Sequence, residues 1–154
     1  MQPQTEIDTA TALRLTGAHP LIWQRARQKG YLNEIAPPLV NASTRHWSVD
    51  EMLVLRWWDS LARAKTPLPL AGAMAGELLK ALIAYPEAEV LYLFTWEAAG
   101  GLRGHMSVAP ARPSDAPAAR PIADLPVKRW KQELRAAVAK HHQQRKAASH
   151  VRPR

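Results

Sequence analysis

The chain has 154 residues, no cysteine and a formal net charge of +8. This length suffices for one domain with a hydrophobic core, or for a small domain with appendages. The lack of cysteine excludes disulfide bonds and thiolate metal sites. No apolar run reaches the roughly 18 residues of a membrane-spanning helix, and the polar start is not typical of a signal peptide, so we expect a cytoplasmic protein with no membrane partner.

The positive charge is concentrated at the C-terminal end. Residues 120–154 contain ten Lys or Arg and only two acidic residues, Asp124 and Glu133, whereas residues 1–119 contain eleven of each sign. The net charge therefore does not by itself indicate that the rest of the chain binds a polyanion.

Two short helices joined by a tight turn are predicted between Thr9 and Leu32. Asp8 or Thr9 can cap the first helix, and Gly17 tolerates the positive φ that the turn needs. Pro20 suits the first position of the second helix, and Gly30 suits its end. The sequence therefore predicts a helix-turn-helix.

The second helix of this pair has two different faces. Its inward face consists of Ile22, Trp23 and Ala26. Its other face follows the i, i+3, i+4, i+7 spacing of a helix and consists of Leu21, Gln24, Arg25 and Gln28. Amide and guanidinium groups can hydrogen-bond base edges in a major groove, and the flanking Arg27 and Lys29 suit phosphates, so this pattern is typical of a recognition helix.

A small β-wing is predicted to follow. Pro37 and Pro38 forbid helix, and the pairs Leu39–Val40 and His46–Trp47 can form short strands around a turn. The donors that suit a DNA backbone contact here are Ser43, Thr44, Arg45 and His46. An ordinary solvated hairpin explains the same residues equally well.

Ser48 and Glu51 form a capping box, which predicts a helix over residues 49–64. Apolar residues cover more than half of this helix, so either later segments or a partner chain must cover its second flank. Residues 66–70 are predicted to be extended, and residues 71–84 to be helical. Capping explains Ser48 more simply than a nucleophile paired with His46 does, and no phosphate loop or His–Glu metal motif is present; we therefore predict no enzyme, no metal and no cofactor.

Several spaced motifs in this half resemble one family. These are Leu15-Thr16-Gly17, Pro20, Lys29-Gly30-Tyr31-Leu32, Arg45-His46-Trp47-Ser48 and Leu70. Together they resemble the winged-helix DNA-binding domain of the MerR family, over Ile7 to about Leu82. Where the family's recognition helix usually presents an arginine and two tyrosines, this chain has Gln24, Arg25 and Ala26, and Tyr85-Pro86 interrupts the place of the family's long dimerisation helix. The resemblance implies that these helix positions face DNA; the predicted DNA-binding residues are Thr16, His19, Leu21, Gln24, Arg25, Arg27, Gln28, Lys29, Ser43, Thr44, Arg45 and His46.

A β-hairpin is predicted within residues 85–108, with strands at residues 89–96 and 103–108 and Gly100-Gly101 in the loop. The first strand is apolar at nearly every position, so both faces are buried or one meets a second subunit. The hairpin can be a structural or dimer sheet, a coregulator-binding module or a ligand pocket; His105, as a lone histidine, does not make a metal site. The residues predicted to meet a second subunit or partner are Trp57, Leu61, Leu91, Leu93, Trp130 and Leu134.

Three segments are predicted to end the chain. Residues 109–121 form a proline- and alanine-rich linker, residues 122–142 contain a basic amphipathic helix, and residues 143–154 are a disordered basic tail. The helix either docks on its own chain or on a second subunit through its apolar stripe, or it is an arm that contacts phosphates and becomes ordered on DNA.

The sequence thus predicts a mainly α fold with small β elements: a winged helix-turn-helix head over residues 7–84, a β-hairpin and a C-terminal helix. The function that follows is a sequence-specific regulator of transcription, of bacterial or phage type and nucleoid-associated, that binds double-stranded DNA as a homodimer, with the transcription machinery or a phage protein as a further partner. An accessory protein of DNA packaging or recombination, which marks a DNA site and recruits an enzyme, is the alternative. A third hypothesis is sequence-independent nucleic-acid binding by the basic tail.

Overall fold

The structure, a computed structural model, describes residues 6–37, 39, 45–97 and 104–150. Within these ranges the fold is mixed, with five helices and one small antiparallel sheet. The elements in chain order are α1 (Thr9–Thr16), α2 (Pro20–Gln28), α3 (Val49–Arg63), α4 (Leu68–Ala84), β1 (Leu91–Glu97), β2 (Gly104–Ala109), β3 (Arg120–Leu125) and α5 (Val127–His150). None of the helices in the described ranges is both long and apolar enough to cross a bilayer.

The first two helices begin and end close to the residues that the sequence predicts. The Asp8 carboxylate accepts a hydrogen bond from the backbone N–H of Thr11 at 2.8 Å. Gly17 and Gly30 have φ values of 75° and 74°, which lie in the left-handed region that glycine tolerates best. Pro20 opens α2, where its missing N–H costs no helical hydrogen bond.

Helix α3 lies at the centre of the main core. Its capping box forms as predicted, with Ser48 and Glu51 each accepting from the other's backbone N–H. Helices α1, α4 and α5 all pack against α3, so later segments of the same chain cover the apolar flank that the sequence left open. Trp58 of α3 meets Trp23 of α2 edge-on, with ring centroids 6.1 Å apart.

Helix α4 begins earlier than the sequence predicts. Residues 68–70, expected to be extended, form its first turn. Pro69 is tolerated there because the N–H groups of the first turn have no helical partner. Two glycines of α4, Gly72 and Gly76, face the segment after α2. A Cβ atom at Gly72 would overlap the backbone carbonyl oxygen of Tyr31, and one at Gly76 would overlap the carboxylate of Glu34.

The predicted hairpin is part of a three-stranded sheet with the order β2-β1-β3. Strand β1 pairs with β2 from Tyr92↔Ala109 to Glu97↔Gly104, and with β3 from Leu91↔Leu125 to Thr95↔Arg120. The predicted loop at Gly100-Gly101 lies outside the described residues. Strand β3 is not predicted by the sequence, which places its first two residues in the linker and the rest in the helical segment. Little β signal exists there, because β3 contains one β-branched residue and a proline.

The two faces of the sheet are buried differently. Leu91 and Leu93 join the main core with the helices. Phe94, on the other face, forms a second small core with Ala116 and Ala119 from the segment before β3. The prediction of a linker that builds no core is therefore wrong: small alanine side chains fit closely against an aromatic face. Both faces of β1 are buried within one chain.

Helix α5 is longer than predicted. It extends to His150, so residues 143–150, expected to be disordered, are helical. Its apolar stripe docks on α3 of the same chain, and Val127 and Leu134 are fully buried. Of the alternatives that the sequence leaves open for this helix, docking on its own chain is the one that the structure has.

Most of the residues predicted to meet a partner are buried inside this chain. Trp57, Leu91, Leu93 and Leu134 are between 0% and 7% exposed. Leu61 and Trp130 are half-buried and pack against the same core. The four buried residues therefore cannot form a partner surface, because the helices and sheet of one chain already cover them. For Leu61 and Trp130, which stay partly exposed, contact with a partner remains a prediction.

The close approach at Gly72 gives a test of α4 packing. In most helices a glycine-to-alanine change stabilises by about 0.5–1 kcal/mol. We expect Gly72→Ala to lower the free energy of unfolding by about 1–3 kcal/mol instead, because the new methyl group meets a backbone carbonyl that cannot move away. Urea denaturation measures the change. Gly76→Ala is the matched control: the carboxylate it meets is the end of a flexible side chain, so the loss should be smaller, and an equal loss in both variants would contradict this packing.

Candidate nucleic-acid interface

Helix α2 has one face in the core and one in solvent. Trp23 and Ala26 are buried, with exposed fractions of 4% and 0%. The opposite face is exposed along its whole length, and Leu21 at its start is 62% exposed. The exposed residues of α2 include Leu21, Gln24, Arg25, Arg27 and Gln28. The helical spacing in the sequence therefore predicts the faces of α2 correctly.

The N-terminus of α2 is capped by His19. Its Nδ1 accepts a hydrogen bond from the backbone N–H of Leu21 at 3.2 Å. A neutral histidine whose Nδ1 is the acceptor carries its proton on Nε2. The His19 side chain is exposed, so this N–H remains able to donate outward.

A polar clamp from α3 holds the turn between α1 and α2. Asp59 Oδ1 accepts from the backbone N–H of His19 at 2.9 Å, and Asp59 Oδ2 accepts from Arg63 Nε at 2.6 Å. Arg63 Nη2 donates to the carbonyl oxygen of Gly17 at 2.9 Å. Asp59 is only 6% exposed, and its charge is paired with Arg63, whose side chain is 56% exposed. We call Asp59 and Arg63 the turn clamp.

The sequence alone does not reveal the turn clamp. Asp59 and Arg63 fall on the polar side of the α3 wheel, which predicts a solvated face. The signal that could have found the pair is its i, i+4 spacing, which brings a carboxylate and a guanidinium together on one helix.

Thr16 serves the turn. Its hydroxyl donates to the carbonyl oxygen of Ala12 at 2.7 Å and accepts from the N–H of Ala18 at 3.4 Å. Because a hydroxyl has one proton, Thr16 is not free to donate to a phosphate while this bond is present. In this structure its hydroxyl serves the turn, and its contact with DNA remains a prediction.

The basic residues at the end of α2 keep their charge exposed. Arg25, Arg27 and Lys29 are all exposed. Within the described ranges, no carboxylate oxygen lies within 4.0 Å of their charged nitrogens, since they occur in none of the ion pairs. These cations are therefore not neutralised by that part of the chain.

The predicted wing is not seen in the residues that can be described. Ser43, Thr44 and Val40 lie outside the described residues. Leu39 and residues 45–47 are described and are not in a strand, so the predicted strand at His46–Trp47 is wrong. The backbone N–H of Trp47 donates instead to the carbonyl of Ile7 at 2.8 Å, which ties this segment to the start of the head.

Arg45 and His46, expected to contact the DNA backbone, make contacts within the chain. Arg45 donates to the carbonyl oxygen of Pro37, and its guanidinium carbon lies 5.8 Å from the centroid of the Trp47 ring. His46 Nε2 lies 3.5 Å from a carboxylate oxygen of Glu6, and both side chains are exposed.

Polar contacts fix α5 on the helices of the head. Arg56 Nη1 donates to Glu133 at 2.7 Å, and the nearly buried Lys131 lies 3.4 Å from Asp50 and donates to the carbonyl oxygen of Pro86 at 3.2 Å.

Further along, His141 Nδ1 lies 2.8 Å from Arg14 Nη2 of α1. Because a guanidinium can only donate, His141 Nδ1 must be the acceptor. Partial burial, and then the nearby charges of Arg14, His142 and Arg145, lower the pKa of His141 below the ordinary 6.5, against a smaller opposite effect of Asp8.

Features that favour other kinds of site are weak. A cleft of about 560 Å³ at one end of the sheet is lined by Thr95, Trp96, Glu97, Ala118 and Arg120. His105 stacks on Trp96 at 5.5 Å. Among the described residues, no three histidine or acidic side chains lie close enough together to hold a metal ion.

In sequence comparisons, no protein-family model matches this chain, and no curated protein matches it. The likeness to the MerR family therefore rests on the spaced motifs in the sequence alone.

The turn clamp predicts a stability effect that a surface ion pair would not have. We expect Asp59→Asn to lower the free energy of unfolding by about 1–3 kcal/mol, because the charge that pairs with Arg63 is lost and the amide has one oxygen for two hydrogen-bond donors. Glu133→Gln is the control, since its exposed pair with Arg56 should contribute less than about 1 kcal/mol. Hydrogen exchange at the His19 N–H should also be faster in Asp59→Ala, which removes the oxygen that accepts from it; unchanged exchange there would contradict the clamp.

The contact between His141 and Arg14 predicts a pH dependence. A histidine whose folded pKa is below its unfolded value stabilises the fold above the unfolded pKa of about 6.5, and this contribution is lost as the pH falls through the folded pKa. We expect His141→Gln to reduce the loss of stability between about pH 7 and pH 5, because an amide oxygen accepts from Arg14 at any pH. Thermal denaturation across this range measures it. His150→Gln, at the exposed end of α5, should behave as the wild type; a reduction as large as that of His141→Gln would argue against the contact.

Proposed function

We propose that the chain is a transcription regulator that binds double-stranded DNA by placing α2 in the major groove. One observation carries this proposal: a face of amide and guanidinium groups is exposed on a short helix whose opposite face is buried. Such a helix can enter a groove without uncovering its own core.

The exposed side chains of α2 have the chemistry that base edges need. Gln24 and Gln28 can each make a bidentate pair with adenine, and Arg25 can make one with guanine. Leu21 is an exposed apolar side chain that suits the methyl group of thymine. A leucine left 62% exposed at the start of a polar helix is consistent with an apolar contact to a partner.

The flanks of α2 supply groups for the phosphates. His19 presents an N–H at the helix start, and Arg27 and Lys29 present exposed cations near its end. Contacts of this kind hold a protein in register on the duplex, while base contacts select the sequence.

The rigidity of the head supports recognition by α2. The turn clamp fixes the start of α2, and Trp23 fixes its buried face between Trp47 and Trp58, with ring centroids 5.4 Å and 6.1 Å away. A helix held in place before binding loses less conformational freedom on association, which favours tight and selective binding.

A homodimer is part of the proposal. Helix α2 has nine residues, so one copy covers only a few base pairs. Two copies on half-sites about one helical turn apart reach the specificity that a regulator requires. Since Trp57, Leu91, Leu93 and Leu134 are buried in one chain, the two copies meet through other residues.

The proposal is tested by selecting a preferred duplex from random double-stranded DNA with the full chain. We then expect Gln24→Ala/Arg25→Ala to reduce the preference for that duplex over random DNA by about 1–3 kcal/mol for each bidentate pair that the variant can no longer form with a base. Arg112→Ala, which removes one exposed charge away from α2, is the control and should leave the preference intact. Equal preference in the wild type and the double variant would refute base recognition by α2. Transcription in a purified system from a promoter carrying the selected duplex then tests regulation.

A further inference from the structure

The solvent-facing part of α5 carries basic residues that the head does not use. We propose that this surface, consisting of Arg135, Lys140 and Lys146 and here called the basic face, binds the phosphate backbone of double-stranded DNA regardless of sequence. The inference concerns a second surface, and it stands whether or not α2 reads bases.

The docking of α5 determines which part of the helix is free. Val127, Lys131 and Leu134 face the core and are buried, and Val138 packs against it. At 3.6 residues per turn, Arg135 and Lys146 project within about 20° of each other on one flank of the helix, and Lys140 lies about 120–140° from them on the side away from the core, so the basic face covers somewhat more than a third of the circumference. All three are exposed. Their spread along the axis is about 16 Å, over which duplex DNA presents roughly nine phosphate charges.

The charge of the basic face is not compensated by the described residues. Residues 127–150 include seven Lys or Arg and a single acidic residue, Glu133. Near the start of α5 the cations are paired: Lys128 lies 2.9 Å from Glu89, and Arg129 lies 3.6 Å from Glu133. For the basic face, in contrast, no carboxylate of the described residues lies within 4.0 Å of a charged nitrogen.

The residues between these cations allow a close approach. Ala136, Ala139 and Gln143 lie between them on the helix surface, and all are exposed. Short side chains and an amide leave room for a backbone to lie against the helix, so the longer cationic side chains can reach phosphates on it.

A membrane surface is a poorer match to the basic face than DNA is. A helix that lies on a membrane inserts an apolar face between the lipids. The apolar stripe of α5 is already used against α3, and none of the large exposed hydrophobic residues of the described chain belongs to α5. The exposed surface of α5 is cationic and has no large apolar residue, and this matches a polyanion.

The test compares two variants of the full chain that each lack two charges. Arg135→Gln/Lys146→Gln removes two cations of the basic face. Lys80→Gln/Arg112→Gln removes one exposed cation from α4 and one from the segment before β3. Affinity for a random-sequence duplex is measured between about 50 and 200 mM salt. Only exposed side chains change, so we expect both variants to fold as the wild type does. Far-UV circular dichroism and thermal denaturation verify this.

We expect the slope of log K against log salt concentration to become shallower by about 1.8 in Arg135→Gln/Lys146→Gln, because each phosphate contact contributes roughly 0.9. The control variant should retain the wild-type slope. Equal slopes in all three proteins would overturn the inference. A basic-face variant that binds anionic vesicles more weakly but binds DNA as the wild type does would overturn it as well, in favour of a membrane surface.

The same variants separate the two DNA-binding surfaces. Preference for a selected duplex over random DNA should be unchanged in Arg135→Gln/Lys146→Gln, because phosphate contacts carry no sequence information. Failure of base recognition by α2 and failure of the basic face are therefore distinct outcomes.

Discussion

The fold depends on the burial of α3. Seven of its fifteen residues are buried, including Trp57 and Trp58, and they face in several directions around the helix. A helix that is apolar over more than half of its circumference needs neighbours on several sides, because a single neighbour covers only one stripe. Helices α1, α4 and α5 provide that cover, and Trp23 of α2 joins through the tryptophan contacts. The N-terminal helices and the C-terminal helix therefore share one core, and removing α5 would uncover part of the core under the head.

The same helix also provides the polar contacts that fix the head. Asp59 and Arg63 lie in the last part of α3 and reach the backbone on both sides of the turn between α1 and α2. Near the start of α3, Asp50 pairs with the nearly buried Lys131 of α5. A buried charge is tolerated only where it is paired and hydrogen-bonded, so each of these contacts fixes the relative position of two elements. Apolar burial brings the elements together, and the paired charges specify how they are aligned.

The parts that the sequence predicts correctly are governed by neighbouring residues. The N-terminal ends of α1, α2 and α3 follow from Asp8, Pro20 and Ser48, because helix capping depends only on residues that are close in sequence. The faces of α2 follow from helical periodicity, which needs no partner to be known. Three features are not predicted, because each depends on residues distant in sequence: strand β3, the burial of Ala116 and the turn clamp. An alanine beside prolines has no pattern that indicates burial, and only the position of β1 supplies the aromatic face that covers it. The wing is predicted from two prolines, a turn and short pairs of strand-forming residues, whereas the backbone N–H of Trp47 donates to the carbonyl of Ile7 instead.

The exposed surfaces of α2 and α5 differ in their charge. The exposed side of α2 mixes amides, an apolar residue and a few cations, a composition that suits the proposed discrimination between bases. The basic face of α5 consists of cations separated by small or amide residues, and this composition attracts any polyanion without discrimination. If both proposals hold, the unselective surface raises the residence of the protein near DNA while the proposed recognition surface on α2 reads the sequence. Because both helices are anchored to α3, their separation and orientation are set by the fold. Under the two proposals, a duplex would bind through both surfaces only where it meets both at once.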